Sequence, residues 1–190
     1  MDKPRNRNLL YAILLSVGLA AGCADNAATQ TLVLNTAALT GIGGELDGVG
    51  GACGIAQDEG ALVARVIELV NEERTKIGVA PVSESDLLRQ VAAQYACRMV
   101  EEGFFSHYDS EGEGPGERAV RGGYVFMKLG ENLAAGQTTA EQVVAEWMAS
   151  DQGHRENILS PEWRETGVAV RLGGQHGVYW VQEFGDPPGR

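Results

Sequence analysis

The chain has no His-Glu-x-x-His helix motif, no glycine-rich phosphate loop and no Gly-x-Ser-x-Gly elbow. These gaps remove the zincin, P-loop and nucleophile-elbow patterns; Ser106 beside His107 is not such an elbow. Positive charge is also scarce. Fifteen Lys and Arg stand against 26 Asp and Glu, for a formal net charge of -11. That balance excludes nucleic acid and an anionic membrane surface as direct electrostatic partners. The apolar run Leu9–Ala21 holds 13 residues, short of the roughly 20 that a spanning helix needs. Cysteine occurs three times, at Cys23, Cys53 and Cys97.

What is present begins with a targeting segment. Lys3, Arg5 and Arg7 precede the Leu9–Ala21 run, which is right for the apolar region of a signal peptide. It closes as Leu19-Ala20-Ala21-Gly22-Cys23, and small residues before a cysteine resemble a bacterial lipoprotein cleavage site. Ala20 stands where such signals usually place an aliphatic residue. The other reading is an ordinary signal peptide cut near Ala21 or beyond. On the first reading residues 1–22 are removed and Cys23 carries lipid, which makes a membrane the partner of the anchor. The loss of Asp2, Lys3, Arg5 and Arg7 leaves the rest of the chain two units more negative. Cys53 and Cys97 then remain in an oxidising compartment, where a pair usually bridges; two buried free thiols are the alternative. The expected organisation is a signal peptide over 1–22, a glycine-rich tether over 23–57, one domain over 58–186 and a tail over 187–190. The tether reading rests on the glycines at 41, 43 and 44 and at 48, 50 and 51.

Periodicity places the domain's elements. Leu62, Val63, Val66, Ile67 and Val70 predict a helix over 58–76, ended by Gly78. Its end, Asn71-Glu72-Glu73-Arg74, reads as a solvated face with local ion pairs. Leu87, Leu88, Val91, Ala92, Tyr95 and Met99 predict a second helix over 85–102, capped by Ser83 or Ser85 and stopped by Gly103. Phe104 and Phe105 suggest a segment anchored in the core, and residues 109–116, acidic and glycine-rich, a mobile loop. A short helix is expected over 117–121. A further helix runs from a capping box at Thr138 or Thr139 to about Ser150, with Val143, Val144 and Trp147 inward. Gly153 reads as its C-terminal glycine, and a charged His154 would be favoured beside that helix end. Residues 167–172 and 178–184 alternate as a β-hairpin around the turn 173–177. His176 lies in that turn and is set aside from any site.

Three polar islands carry the chemistry: Phe105-Ser106-His107, Gly130-Glu131-Asn132 and Gly153-His154-Arg155-Glu156-Asn157-Ile158-Leu159. Two histidines and a carboxylate could converge to bind a metal or to move a proton. Together with Asn71-Glu72-Glu73-Arg74, Trp147-Met148-Ala149-Ser150 and Tyr179-Trp180-Val181-Gln182-Glu183-Phe184-Gly185, they resemble the CAP superfamily of cysteine-rich secretory proteins, antigen five and pathogenesis-related proteins. The likeness spans roughly residues 60–186 and is strongest to compact bacterial members. It implies an α+β fold, a three-layer α-β-α sandwich with a small antiparallel sheet. It also implies that His107, Glu131 and His154 line the site. Larger members carry a second glutamate three residues after the tryptophan, where this chain has Ser150; Asp151 and Glu156 are the neighbouring carboxylates that could replace it.

The resemblance and the residues lead to one principal expectation and two alternatives. The principal one is an exported, lipid-anchored domain whose non-enzymatic cleft binds Zn²⁺ or another divalent metal, or a small amphipathic or lipid ligand. The second is a metal-dependent hydrolase, a peptidase in which Glu131 acts as base and His107 and His154 as ligands. The third is a surface structural or adhesion protein in which the same residues only tighten the fold. The expected location is the cell envelope or the extracellular space.

Overall fold

The structure, a computed structural model, describes residues 51–189. The expected signal segment 1–22, lipidation at Cys23 and residues 23–50 of the expected 23–57 tether lie outside the described residues; within the remainder of that stretch Gly54 and Ile55 pair with Leu172 and Arg171 in the sheet. In chain order the elements are β1 (Gly54–Ile55), α1 (Glu59–Lys76), β2 (Ser83–Glu84), α2 (Asp86–Glu102), α3 (Pro115–Arg121), β3 (Lys128–Ala135), α4 (Ala140–Ala149), α5 (His154–Leu159), β4 (Glu165–Gly173) and β5 (Gly177–Asp186). No helix among them is long and apolar enough to cross a membrane.

The strands form one sheet in the order β1-β4-β5-β3, with β2 adding a short parallel pairing to β4. Every other pairing is antiparallel. The β4–β5 hairpin closes at Gly173 opposite Gly177, as the alternation predicts. Side chains on opposite sheet faces enter different cores. On one face Trp180, Phe184, Val168, Val170 and Ala134 pack against Val66 and Val70 of α1 and Val143 and Trp147 of α4. On the other, Tyr179, Val181, Ala169 and Leu133 pack against Ala92, Tyr95, Ala96 and Met99 of α2. This is the expected α-β-α sandwich. Gly167 permits its tightest approach: a Cβ there would lie 2.1 Å from the Arg89 amide nitrogen of α2. The Cys53–Cys97 disulfide ties the start of β1 to α2.

Several local expectations change. Leu87 is 41% exposed rather than part of the buried stripe. Ser85 occupies the N-cap of α2 without a side-chain bond; its amide instead donates to the Thr166 carbonyl and continues the β2–β4 pairing. Phe104 packs against the core, but Phe105 is 42% exposed. The acidic loop is held rather than loose. Asp109 is buried, accepts the Glu111 and Glu113 amides at 2.9 Å each, and pairs with Arg98. Burial opposes its ionisation, but those amides and Arg98 outweigh burial and hold the carboxyl below its usual range.

Arg74 is the largest departure. It is fully buried, not part of a solvated face. Its guanidinium donates to the carbonyls of Ala80 (2.8 Å), Ile158 (2.7 Å), Ser160 (2.8 Å) and Trp163 (3.2 Å). Five fixed donors suit such a cluster of carbonyls, and a lysine could not replace them. Glu73 and Glu72 keep the surface role, pairing with Lys76 and Arg65.

Candidate functional site

Glu131 is not a turn residue. It lies within β3, paired with Glu183 of β5, and its side chain is 1% exposed. Lys128–Ala135 reads Lys-Leu-Gly-Glu-Asn-Leu-Ala-Ala and shows no clean alternation, so its strand character is not visible in the periodicity. Placed there, Glu131 points to the α2 side of the sheet, as do Leu133 and Val181.

Two groups hold the Glu131 carboxylate. His107 Nδ1 lies 2.7 Å from Oε1. Arg118 Nη2 of α3 donates to Oε2 at 2.6 Å. Arg118 also donates to the carbonyls of His107 and Glu113 at 3.0 Å each, so one side chain fixes the carboxylate and the histidine's own backbone. Its guanidinium carbon lies 3.3 Å from the ring centre of Tyr95, a cation–π contact. Tyr95 in turn donates to the Ser106 carbonyl at 2.6 Å. Burial pushes the Tyr95 phenol up, against the pull of Arg118. The His107 ring, 46% exposed, meets solvent at the end of this chain of contacts.

His154 arrives from a different direction. Gly153 is left-handed at φ 94, as the glycine reading requires, but it is the N-cap of α5 and not the C-cap of α4. His154 therefore opens a short helix. A helix start disfavours a cation, the opposite of the expectation from a helix end. Its imidazole is held below its usual range, first by burial, then by the charge of His107, against Glu146 and Glu156. The charge of His107 thus reaches the His154 ring. Among the described residues, His107, Glu131 and His154 do not bring three ligand atoms within 4.8 Å of one another.

Asparagines set the position of α5. Asn157 Nδ2 donates to the Glu131 carbonyl (3.1 Å) and to Asn132 Oδ1 (2.9 Å), and Asn132 Nδ2 donates to the His154 carbonyl (3.1 Å). Trp163 Nε1 reaches the Asn157 carbonyl at 2.9 Å. With Arg74 on the Ile158 and Ser160 carbonyls, the whole His154–Leu159 helix is latched to β3 and α1.

Sequence places Asn132, Asn157 and Glu183 in motifs without a role, gives Tyr95 only a place in the buried stripe of α2, and does not single out Arg118. Arg118 carries no local signature in the run Gly116-Glu117-Arg118-Ala119. Glu183 had a signal: it shares a strand face with Tyr179 and Val181, where a carboxylate is out of place. Of the two candidate replacements for the second glutamate, Glu156 acts on His154 together with Glu146, and a carboxylate not among those candidates, Glu183, lies against Glu131.

The site is thus an imidazole–carboxylate–guanidinium chain at the edge strand of a mixed α-β-α sandwich. The family model for the cysteine-rich secretory protein family, CAP, matches residues 67–184, and the chain belongs to that family. It is 35% identical over 120 residues to the uncharacterized protein YkwD of Bacillus subtilis (strain 168), covering 63% of this chain and 45% of YkwD. The chain thus spans less than half the length of that curated relative. Among solved structures it is similar to an extracellular protein containing a SCP domain from Bacillus anthracis str. Ames, with 25% identity, a TM-score of 0.61, and coverage of 68% of this chain and 42% of that one. It shares its fold with an outer surface protein from Borrelia burgdorferi, with 24% identity, a TM-score of 0.59, and coverage of 64% of this chain and 90% of that one.

Proposed function

We propose that this is an exported binding domain that holds a divalent cation of the Zn²⁺ type between His107 and His154. The observation that carries the reading is the 2.7 Å bond between His107 Nδ1 and Glu131 Oε1. A carboxylate on one ring nitrogen fixes the tautomer and leaves Nε2 as the lone pair that a metal takes. Glu131 is then the carboxylate that orients a ligand and is not itself a ligand. His154, held toward its neutral form, supplies the second imidazole in the state that binds metal. The donor set therefore fits such an ion: His107 and His154 would hold it, and it would supply a Lewis acid for a ligand's oxygen or nitrogen. The structure of NaASP2 with Zn²⁺ shares the fold, at 16% identity and a TM-score of 0.50. Export is supported by the disulfide and the basic–apolar leader, and lipidation at Cys23 would anchor the domain to a membrane.

A binding role fits better than hydrolysis. Both Glu131 oxygens are engaged and the side chain is buried, which removes it as a free general base. A small amphipathic ligand is favoured as the second occupant because Phe105 and Tyr108, 42% and 63% exposed, flank His107. The test is calorimetry with Zn²⁺ at neutral pH on the wild type and on His107→Ala/His154→Ala. One-site binding lost in the double variant is expected. A wild type that takes up no Zn²⁺ rejects the metal reading.

A further inference from the structure

Glu183 is the buried titratable group that this reading leaves unused. It is fully buried in β5. Its neighbours across the sheet are Glu131 in β3 and Gly167 in β4. Gly167 has no side chain to offer, and α2 closes over it at Leu88 and Arg89. Among the described residues, neither Glu183 oxygen receives a hydrogen bond. The group it lies against is the Glu131 carboxylate, and the cation whose field reaches it is Arg118. The Arg118 hydrogen bonds go to Glu131, His107 and Glu113, not to Glu183.

Charge and geometry leave one consistent state. Two carboxylates in contact, sealed from water and served by one guanidinium, do not both ionise. Glu131 has two charge-assisted bonds to its oxygens, so it keeps the charge. Glu183 has no donor, and an ionised carboxylate there would be buried without a partner, at a cost of several kcal/mol. With a proton it becomes a donor, and the acceptor beside it is Glu131.

We propose that Glu183 is a positioning residue for the His107 site: it stands as a protonated carboxylic acid and donates a hydrogen bond to Glu131, fixing the carboxylate that orients His107. Glu131 is then held from three sides, by His107 from the loop, Arg118 from α3 and Glu183 from β5. No proton is transferred; the O–H stays on Glu183.

The direct test is carbon NMR of the full chain labelled at the glutamate side-chain carboxyls, with Glu183 assigned through its own backbone. At pH 7 its carboxyl carbon is expected at the carboxylic-acid position. An ionised shift overturns the proposal, and the assignment needs no variant. The positioning role is read at the His107 Nδ1 proton. Glu183→Gln keeps a donor and is expected to retain that resonance; Glu183→Val removes the donor and is expected to lose it while the amide spectrum stays folded. Loss in Glu183→Gln, or an unchanged resonance in Glu183→Val, overturns the role. The consequence for metal rests on the reading proposed above: Zn²⁺ affinity is expected to hold in Glu183→Gln and to fall about 10-fold in Glu183→Val. A wild type without Zn²⁺ binding rejects that reading and leaves the carbon shift of Glu183 and the His107 resonance to decide this one.

Discussion

Arg118 and Glu131 form a nearly water-free ion pair, 2.6 Å apart with 5% and 1% of their side chains exposed. The field of the same cation also reaches Glu183, where it works against the burial and the Glu131 charge that raise that carboxyl. Arg118→Ala therefore removes more than one bond: it strands Glu131 beside Glu183 and empties the face of Tyr95. Breaking a buried pair by deleting one partner costs about 3–5 kcal/mol. Urea denaturation is expected to show a loss of that size, and Arg118→Lys is expected to recover only part of it, because an ammonium cannot reproduce the planar stack and fork.

Glu131→Gln keeps the shape of the residue and removes its charge. Arg118 then faces a neutral amide, and the bond that sets the His107 tautomer weakens. An outer carboxylate on a ligating histidine is worth roughly 10–100-fold in metal affinity. Zn²⁺ titration of Glu131→Gln is expected to show a loss in that range. Affinity equal to the wild type would mean that the carboxylate does not act on the imidazole.

Arg74 holds the segment that carries one of the imidazoles. Arg74→Met leaves the carbonyls of Ala80, Ile158, Ser160 and Trp163 without their donor. Each buried group left unsatisfied costs about 1–3 kcal/mol, so a total loss of at least about 3 kcal/mol is expected in denaturant melts. Because α5 loses its latch to α1, backbone hydrogen exchange is expected to quicken across residues 154–159 more than across α2.

The layers of the fold were legible wherever one face of an element is apolar and the other is not. The stripes of α1, α2 and α4 and the alternation of the hairpin are of that kind. Strand β3 was hidden because Gly130, Glu131 and Asn132 break alternation where the strand serves the site. Gly153 shows the second limit. Its left-handed backbone was predictable, but a glycine before a helix and one after a helix look alike in sequence, so His154 was assigned to the wrong helix end. Arg74 shows the third: four carbonyls from three separate segments make its burial favourable, and none of them has a sequence signature. The site followed the same division. His107, Glu131 and His154 were singled out through a family pattern, whereas the contact of Arg118 with Glu131 needs α3 docked on β3 and that of Glu183 needs β3 and β5 in register.

Asp109 makes the fold acid-sensitive in a defined direction. Its carboxyl is held below the usual range, with the Glu113 and Glu111 amides and Arg98 outweighing burial. A depressed folded value contributes stability that is present above the unfolded value, about 3.9, and is lost as pH falls through the folded one. Asp109→Asn is therefore expected to melt below the wild type at pH 7. The gap is expected to shrink steadily as pH drops under about 4, as read by thermal melts across that range.

Glu183 has the opposite sign. Burial raises its carboxyl well above the ordinary range, and the Glu131 charge adds to this against Arg118. The folded chain keeps a proton that the unfolded chain releases above about pH 4.3. The folded state then binds more protons, so stability from this residue is fully present below that pH and is lost as pH rises toward the folded value. Glu183→Gln cannot release a proton in either state, and its amide still donates to Glu131. The variant is expected to gain on the wild type as pH rises from about 4.3 through neutrality, with the difference in melting temperature growing across that window. A difference that stays flat with pH would mean that Glu183 ionises in the folded protein as readily as in the unfolded one, and Arg118 would then have to balance two carboxylates at once.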